Sequence, residues 1–491
     1  MSITRRRFLQ SAAALAGSAL MPPFWLRAQA ASALSLCESQ TRNLIIVQLE
    51  GGNDATNTVI PVSGGLRPSY DALRPSLGIA PGELMPTLLG ADPGQPAATL
   101  ALHPHMVGLK RLHDQGNLVT LLGTHYANGS LSHFTSERIW YSARLDARNT
   151  VAQGWMGGSI ENLCAGQPAA VLALDVQREP TPLFAGTSKL LAIQSLDSLR
   201  FPVLDVFFND PVTSAEYRSL WDLGQQGAQM GTNPFSQAIS AAIVPGVNLI
   251  DSFQAVDLTL ARNLNDLVDG TTTASGGFGV DGPLPSSLAE QLRLIFGIMQ
   301  GGPPGTPLGP RIFRAHIGSF DTHSFQGVHR SLTTEANLSQ KRADGFLGER
   351  HGELLHVVDQ SISAFWQDCV DAGLASQTCV MTFSEFSRRI IENSSGSRAG
   401  TDHGTLGHMF VVGPSSAQAA PGGPVLQGGV FGTQPDIANL NDDGNPPFDP
   451  LTSIDFRNVY AEIMTRWLAI PAASTQAILS GFAPTPVNFL L

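Results

Sequence analysis

Five short clusters hold the residues that could do chemistry: Gly51-Gly52-Asn53-Asp54; His125 with Ser130, Ser132 and His133; Asp321-Thr322-His323; Ser384-Glu385; and Thr401-Asp402-His403-Gly404. Asp oxygens and His nitrogens are ligands of zinc, manganese and related divalent ions. Asp321 with His323 and Asp402 with His403 form two Asp–His sets, one for each half of a metal site. Two such ions about 4 Å apart would clamp the attacking and leaving oxygens of a displacement at phosphorus or sulfur. Asp54 could bridge the sets or complete one of them. Ser132 stands where a helix cap belongs and is also the candidate nucleophile; His133 or Arg388 would hold the oxyanion. The expected cofactor is therefore one or more divalent ions of zinc, manganese or calcium.

The elements flanking the clusters explain how they could converge. Leu44 to Leu49, Asn117 to Leu122, Ala170 to Leu174, Arg311 to Ile317, Thr378 to Phe383 and His408 to Val412 are short apolar runs. Runs of that kind read as strands buried on both faces. Helical spacing marks 104–115, 134–143, 286–300, 350–372 and 454–468. Strands alternating with helices predict an α/β fold, a mostly parallel sheet with helices on both faces. Ligands bind at the carboxyl ends of such strands. Four of the five clusters follow a strand, and the fifth precedes one and could fold back to the same edge.

Whole-chain composition narrows the classes. The chain has 491 residues, 43% of them apolar and 14% charged, with a net charge of −11. That is too apolar for a disordered chain and lacks the basic excess of a nucleic-acid binder. Residues 1–30 carry Arg5, Arg6 and Arg7, then Phe8-Leu9, an apolar stretch and Ala28-Gln29-Ala30. This pattern predicts a twin-arginine signal peptide, with the translocase as a transient partner and a periplasmic or secreted destination. Its removal takes four arginines and no acid, moving the charge from −11 to −15. No later stretch is long and apolar enough to predict a membrane span. Residues 31–491 read as one domain, with a Gly/Pro/Ser-rich inserted cap at about 200–310. Cys37, Cys164, Cys369 and Cys379 allow three complete pairings; a local Cys369–Cys379 bridge and free buried thiols both remain open.

The chain resembles the DUF1501 family of exported bacterial proteins. The matching pieces include Gln48-Leu49-Glu50-Gly51-Gly52-Asn53-Asp54, Ser132-His133-Phe134, Gly154-Trp155-Met156-Gly157 and Asp321-Thr322-His323. Phe383-Ser384-Glu385-Phe386-Ser387-Arg388-Arg389, Gly400-Thr401-Asp402-His403-Gly404 and Asp455-Phe456-Arg457 complete them. The family looks like a branch of the alkaline phosphatase superfamily, which includes sulfatases. That resemblance implies an Asp after the first strand, a hydroxyl nucleophile at a helix start, an Asp–His set and an Asp-His pair. Asp54, Ser132, Asp321 with His323, and Asp402-His403 occur in that order. The expectation is an exported metal-dependent hydrolase acting on a small or polymeric phosphate or sulfate ester. The alternative is a non-catalytic binding or assembly protein on the same fold.

Overall fold

The strand β1 (Asn43–Leu49) is buried at every position. Its side chains alternate between two cores, because successive residues of a strand point to opposite faces. Ile45, Val47 and Leu49 enter one core, Leu44 and Ile46 the other. Each fully buried aliphatic side chain contributes roughly 1.5–3 kcal/mol, so an unbroken apolar run is what this position demands.

A computed structural model describes residues 42–163, 173–177, 179–187, 189–195, 256–268, 288–300, 311–327 and 350–491. The expected signal peptide, Cys37, Cys164 and most of the expected insertion lie outside the described residues. β1 is flanked by β8 (Ile312–Ile317) and β9 (Thr378–Phe383), both parallel to it. Beyond β8 lie β6 (Ala173–Asp175) and β7 (Leu190–Ala192), also parallel. Beyond β9 comes β12 (Gly407–Val412), antiparallel to its neighbours, then β5 (Leu118–His125). The short strands β13 (Gly429–Phe431) and β14 (Ile454–Asp455) run parallel to β5. The sheet is thus mostly parallel, as expected, with β12 as the exception.

Helices cover both faces. α3 (Val107–Asp114), α6 (Arg262–Val268), α7 (Leu288–Met299) and α8 (Arg350–Asp371) line one core. α4 (His133–Ser142), α5 (Trp155–Leu163), α9 (Phe456–Glu462) and α10 (Ala472–Ile478) line the other. The described parts of the expected insertion, α6 and α7, pack into the first core. Cys369 on α8 and Cys379 on β9 are free, buried thiols, so the local bridge is absent. No helix among the described residues is long and apolar enough to cross a membrane.

Smaller elements surround the sheet edge. A three-stranded antiparallel sheet joins β2 (Val59–Pro61), β4 (Thr99–Leu102) and β3 (Leu88–Ala91). α1 (Ala55–Thr58) and α2 (Leu66–Leu73) accompany it. A hairpin joins β10 (Ser387–Glu392) to β11 (Thr401–Gly404), with Arg388 opposite His403.

Candidate metal centre

Strand direction brings the clusters together. β1, β8 and β9 are parallel, and β12 runs against both β9 and β5, so β5 ends at the same edge. The loop after β5 delivers Leu131, Ser132 and the first residue of α4, His133. The loop after β8 delivers Asp321 and His323. Glu385 follows β9, and the hairpin folds His403 back toward them. Gly51 and Gly52 end β1 with φ of +113° and +84°. A Cβ on Gly51 would strike the Asp321 backbone, and one on Gly52 the Phe386 ring. That ring lies 4.7 Å from the imidazoles of His133 and of His403, bracing both.

The donor atoms are close. Asp321 Oδ1 lies 3.0 Å from His323 Nε2 and 3.1 Å from His403 Nε2. The two ring nitrogens are themselves 3.1 Å apart. His133 Nε2 lies 3.6 Å from Asp321 Oδ2. One donor atom from each of His133, Asp321 and His403 falls within 4.8 Å of the others.

Each imidazole is oriented through its other nitrogen. His323 Nδ1 is 3.0 Å from Asp402 Oδ1, His133 Nδ1 is 2.8 Å from Glu385 Oε1, and His403 Nδ1 is 2.8 Å from the Leu131 carbonyl. Ionised carboxylates and carbonyls only accept. The Nδ1 atoms therefore carry the protons, and in neutral rings the Nε2 lone pairs point inward. Facing lone pairs beside a carboxylate repel one another unless a cation or added protons lie between them. Held Nδ1–H groups are the usual outer support of metal-ligating histidines. The types and closeness of His133, Asp321 and His403, with His323 beside them, thus suit a divalent ion. Three imidazoles suit zinc or manganese better than calcium, which takes oxygen ligands.

The electrostatics follow the geometry. Burial raises the Asp321 carboxyl, but the Arg388 guanidinium and the neighbouring histidines more than offset it, leaving it below its ordinary range. The hydrogen bond to Glu385 raises the His133 imidazole. Burial lowers that of His403. The carboxyl of Glu137, one turn beyond His133, is pushed up to about 7 by burial and by the charges of Glu385 and Glu50.

The structure assembles four expected residues: His133, Asp321, His323 and His403. His133, expected on the oxyanion, stands among the clustered donors. Asp402, expected as a ligand, stands behind His323 and also accepts from Asn393 at 3.2 Å. Arg388, expected to hold an oxyanion, is fully buried. It donates to the carbonyls of Gly51, Gly52, Phe320 and Thr401 and to Asp321, tying the loops after β1 and β8 to the hairpin from a buried position. Asp54 is not brought into the cluster. It is buried, paired with Arg74, bonded by Gln326, and accepts from the backbone of Thr56 and Asn57 at the start of α1. Ser132 is exposed at the start of α4 and makes no capping bond. Both of its neighbours touch the cluster.

Glu385, from one of the expected clusters, receives its role from its contact with His133. One supporting group escapes a sequence reading. The Leu131 contribution is a backbone carbonyl, which has no sequence signature.

A family model described as "Protein of unknown function (DUF1501)" matches residues 308–451. That span holds Asp321, His323, Asp402 and His403, and excludes His133. No curated protein matches. Solved structures that match include Ps i-CgsB in complex with k-i-k-neocarrahexaose, 9% identical with a TM-score of 0.32, covering 89% of this chain and 74% of that one. The lipoteichoic acid synthase LtaP from Listeria monocytogenes is 12% identical with a TM-score of 0.33, covering 90% of this chain and 77% of that one.

Proposed function

We propose that the chain is an exported metal-dependent hydrolase of phosphate or sulfate esters, holding one divalent ion on His133, Asp321, His323 and His403. One observation carries the reading: three imidazoles have Nδ1 tied to an acceptor and Nε2 aimed at one carboxylate. A bound ion of this class supplies Lewis-acid polarisation and lowers the pKa of a coordinated hydroxyl or water.

The chain's own residues do the rest. Asp402, Glu385 and the Leu131 carbonyl hold the imidazoles in one tautomer. Arg388 keeps Asp321 ionised and in place. Ser132, between Leu131 and His133, is the proposed nucleophile. Its hydroxyl oxygen bonds to the phosphorus or sulfur as the ester oxygen leaves, the hydroxyl's proton passing through solvent to that leaving oxygen; water then splits the serine ester, releasing the acid and restoring the hydroxyl. The free amides at the start of α4 favour the anionic ester group. The sealing of Asp54 by Arg74 supports a single ion rather than two.

The test is metal content and ester hydrolysis of the purified chain, beside His403→Ala. We expect one tightly bound ion, lost with the activity in a folded variant. Absence of bound metal after supplying zinc and manganese overturns the reading. Metal without hydrolysis of any phosphate or sulfate ester would instead support the non-catalytic binding protein.

A further inference from the structure

The charges that touch the cluster bear on which ester it takes. Asp321, Asp402 and Glu385 are within hydrogen-bond distance of its imidazoles. Arg388 pairs with Asp321, and Arg389 Nη1 lies 4.0 Å from Asp402 Oδ2. Formally these are three negative charges and two positive ones. One divalent ion brings the sum to +1. The α4 N-terminus adds about half a positive charge. Glu50, paired with Arg314, and Glu137 stand on the other side of this balance; burial first, and then the charges of Glu385 and Glu50, push the Glu137 carboxyl up. Arg388 is spent on backbone carbonyls and Asp321, so it adds charge without reaching a ligand.

Resting on the metal-hydrolase reading, we infer that the site selects esters of net charge −1, namely sulfate monoesters or phosphodiesters, over doubly charged phosphate monoesters. Among the described residues Arg388 is taken up by Asp321 and carbonyls and Arg389 faces Asp402, so a second negative charge on the ligand has no cation assigned to it alone. That charge lies instead near the carboxylate of Asp321, more than two-fifths exposed, with the equally exposed Asp402 beyond His323. At such a surface the repulsion of like charges is large enough to set specificity.

The test uses the full-length, zinc- or manganese-loaded chain at pH 8, where a phosphate monoester is dianionic. Calorimetry compares methyl sulfate, dimethyl phosphate and methyl phosphate. In parallel, kcat/KM is measured for p-nitrophenyl sulfate, bis(p-nitrophenyl) phosphate and p-nitrophenyl phosphate. We expect at least one monoanion to bind about tenfold or more tightly than methyl phosphate, and the same order in kcat/KM. The kinetic arms show whether sulfur or phosphorus is the natural centre. Asp402→Asn, which removes one negative charge, should shift the binding ratio about tenfold toward methyl phosphate. Tighter binding of methyl phosphate by the wild type overturns this inference and leaves the metal site standing. So does failure of all three anions to bind a metal-loaded chain. A chain that binds no metal defeats the earlier reading instead.

Discussion

His133, His323 and His403 are held by three different acceptors, and that difference can be measured. Glu385 is fully buried and also accepts from the Gly51 amide at 2.9 Å, whereas Asp402 is 42% exposed. Loss of an outer acceptor typically weakens metal affinity 10–100-fold. Glu385→Gln and Asp402→Asn should both fall in that range, as read by competition with a chromophoric chelator. Glu385→Gln should cost more, because Asp402 shares its task with solvent. Equal affinity in wild type and both variants would remove these carboxylates from the site. The residue types of the cluster were legible in the sequence; their division of labour was not. Asp402 and His403 are adjacent on β11, and neighbouring strand residues point to opposite faces. They could not both ligate one ion directly, but a four-residue strand of Thr, Asp, His and Gly carries no apolar alternation to announce itself. Arg388 misled for a related reason: its type suits an anion, and only the fold shows that carbonyls consume it.

At the scale of elements, α8 staples two neighbours through acids on its buried side. Asp359 accepts from the amides of Gly108 and Leu109 at 3.0 and 2.6 Å, at the start of α3. Asp368 does the same for Asn263 and Leu264 at the start of α6. Burial pushes the Asp359 carboxyl up to about 6, the amide bonds only partly resisting. A carboxyl raised above its unfolded value near 3.9 favours the fold while protonated and loses that contribution as pH rises through about 6. The contribution is on the order of 2–3 kcal/mol. Unfolding free energies of wild type and Asp359→Asn should therefore diverge, in the variant's favour, by about that amount between pH 4 and 7. A constant difference across this range would show that Asp359 does not titrate there. The long helix itself was plain from its apolar spacing, as were β1, β5, β8, β9 and β12, because strands buried on both faces are unbroken apolar runs; of the run Ala170 to Leu174 only the last two residues are described, in β6. The hairpin β10–β11 and the small β2–β4–β3 sheet escaped. Ser387–Glu392 begins Ser-Arg-Arg, and the others are three or four residues long, too short for a period to show. The reversed direction of β12 was equally invisible, since a buried strand has the same apolar pattern either way.

The molecule as a whole gathers its chemistry at one sheet edge, and that sheet also contains an acid-sensitive element. His125 ends β5, fully buried, with neither ring nitrogen bonded among the described residues. His408, on the adjacent β12, accepts from the Gly123 amide at 3.2 Å. Burial lowers His125 to about 3 and His408 to about 4. The unfolded chain takes up these protons near pH 6.5 and the folded chain does not, so stability is full above 6.5 and falls as pH drops. From pH 7 to 5 the loss is about 2 kcal/mol per histidine, roughly 4 kcal/mol for the pair. Asp359 works in the opposite sense and returns about 1 kcal/mol over the same range. These three groups together make the wild type about 2–3 kcal/mol less stable at pH 5 than at pH 7. Replacing both imidazoles, as in His125→Phe/His408→Gln, should lower stability at pH 7 through altered packing yet remove the acid-induced loss. Denaturant titrations of both proteins at the two pH values decide the matter. If the double variant keeps the wild-type difference, the buried imidazoles are not its source, and the carboxylates around the metal cluster become the groups to examine next.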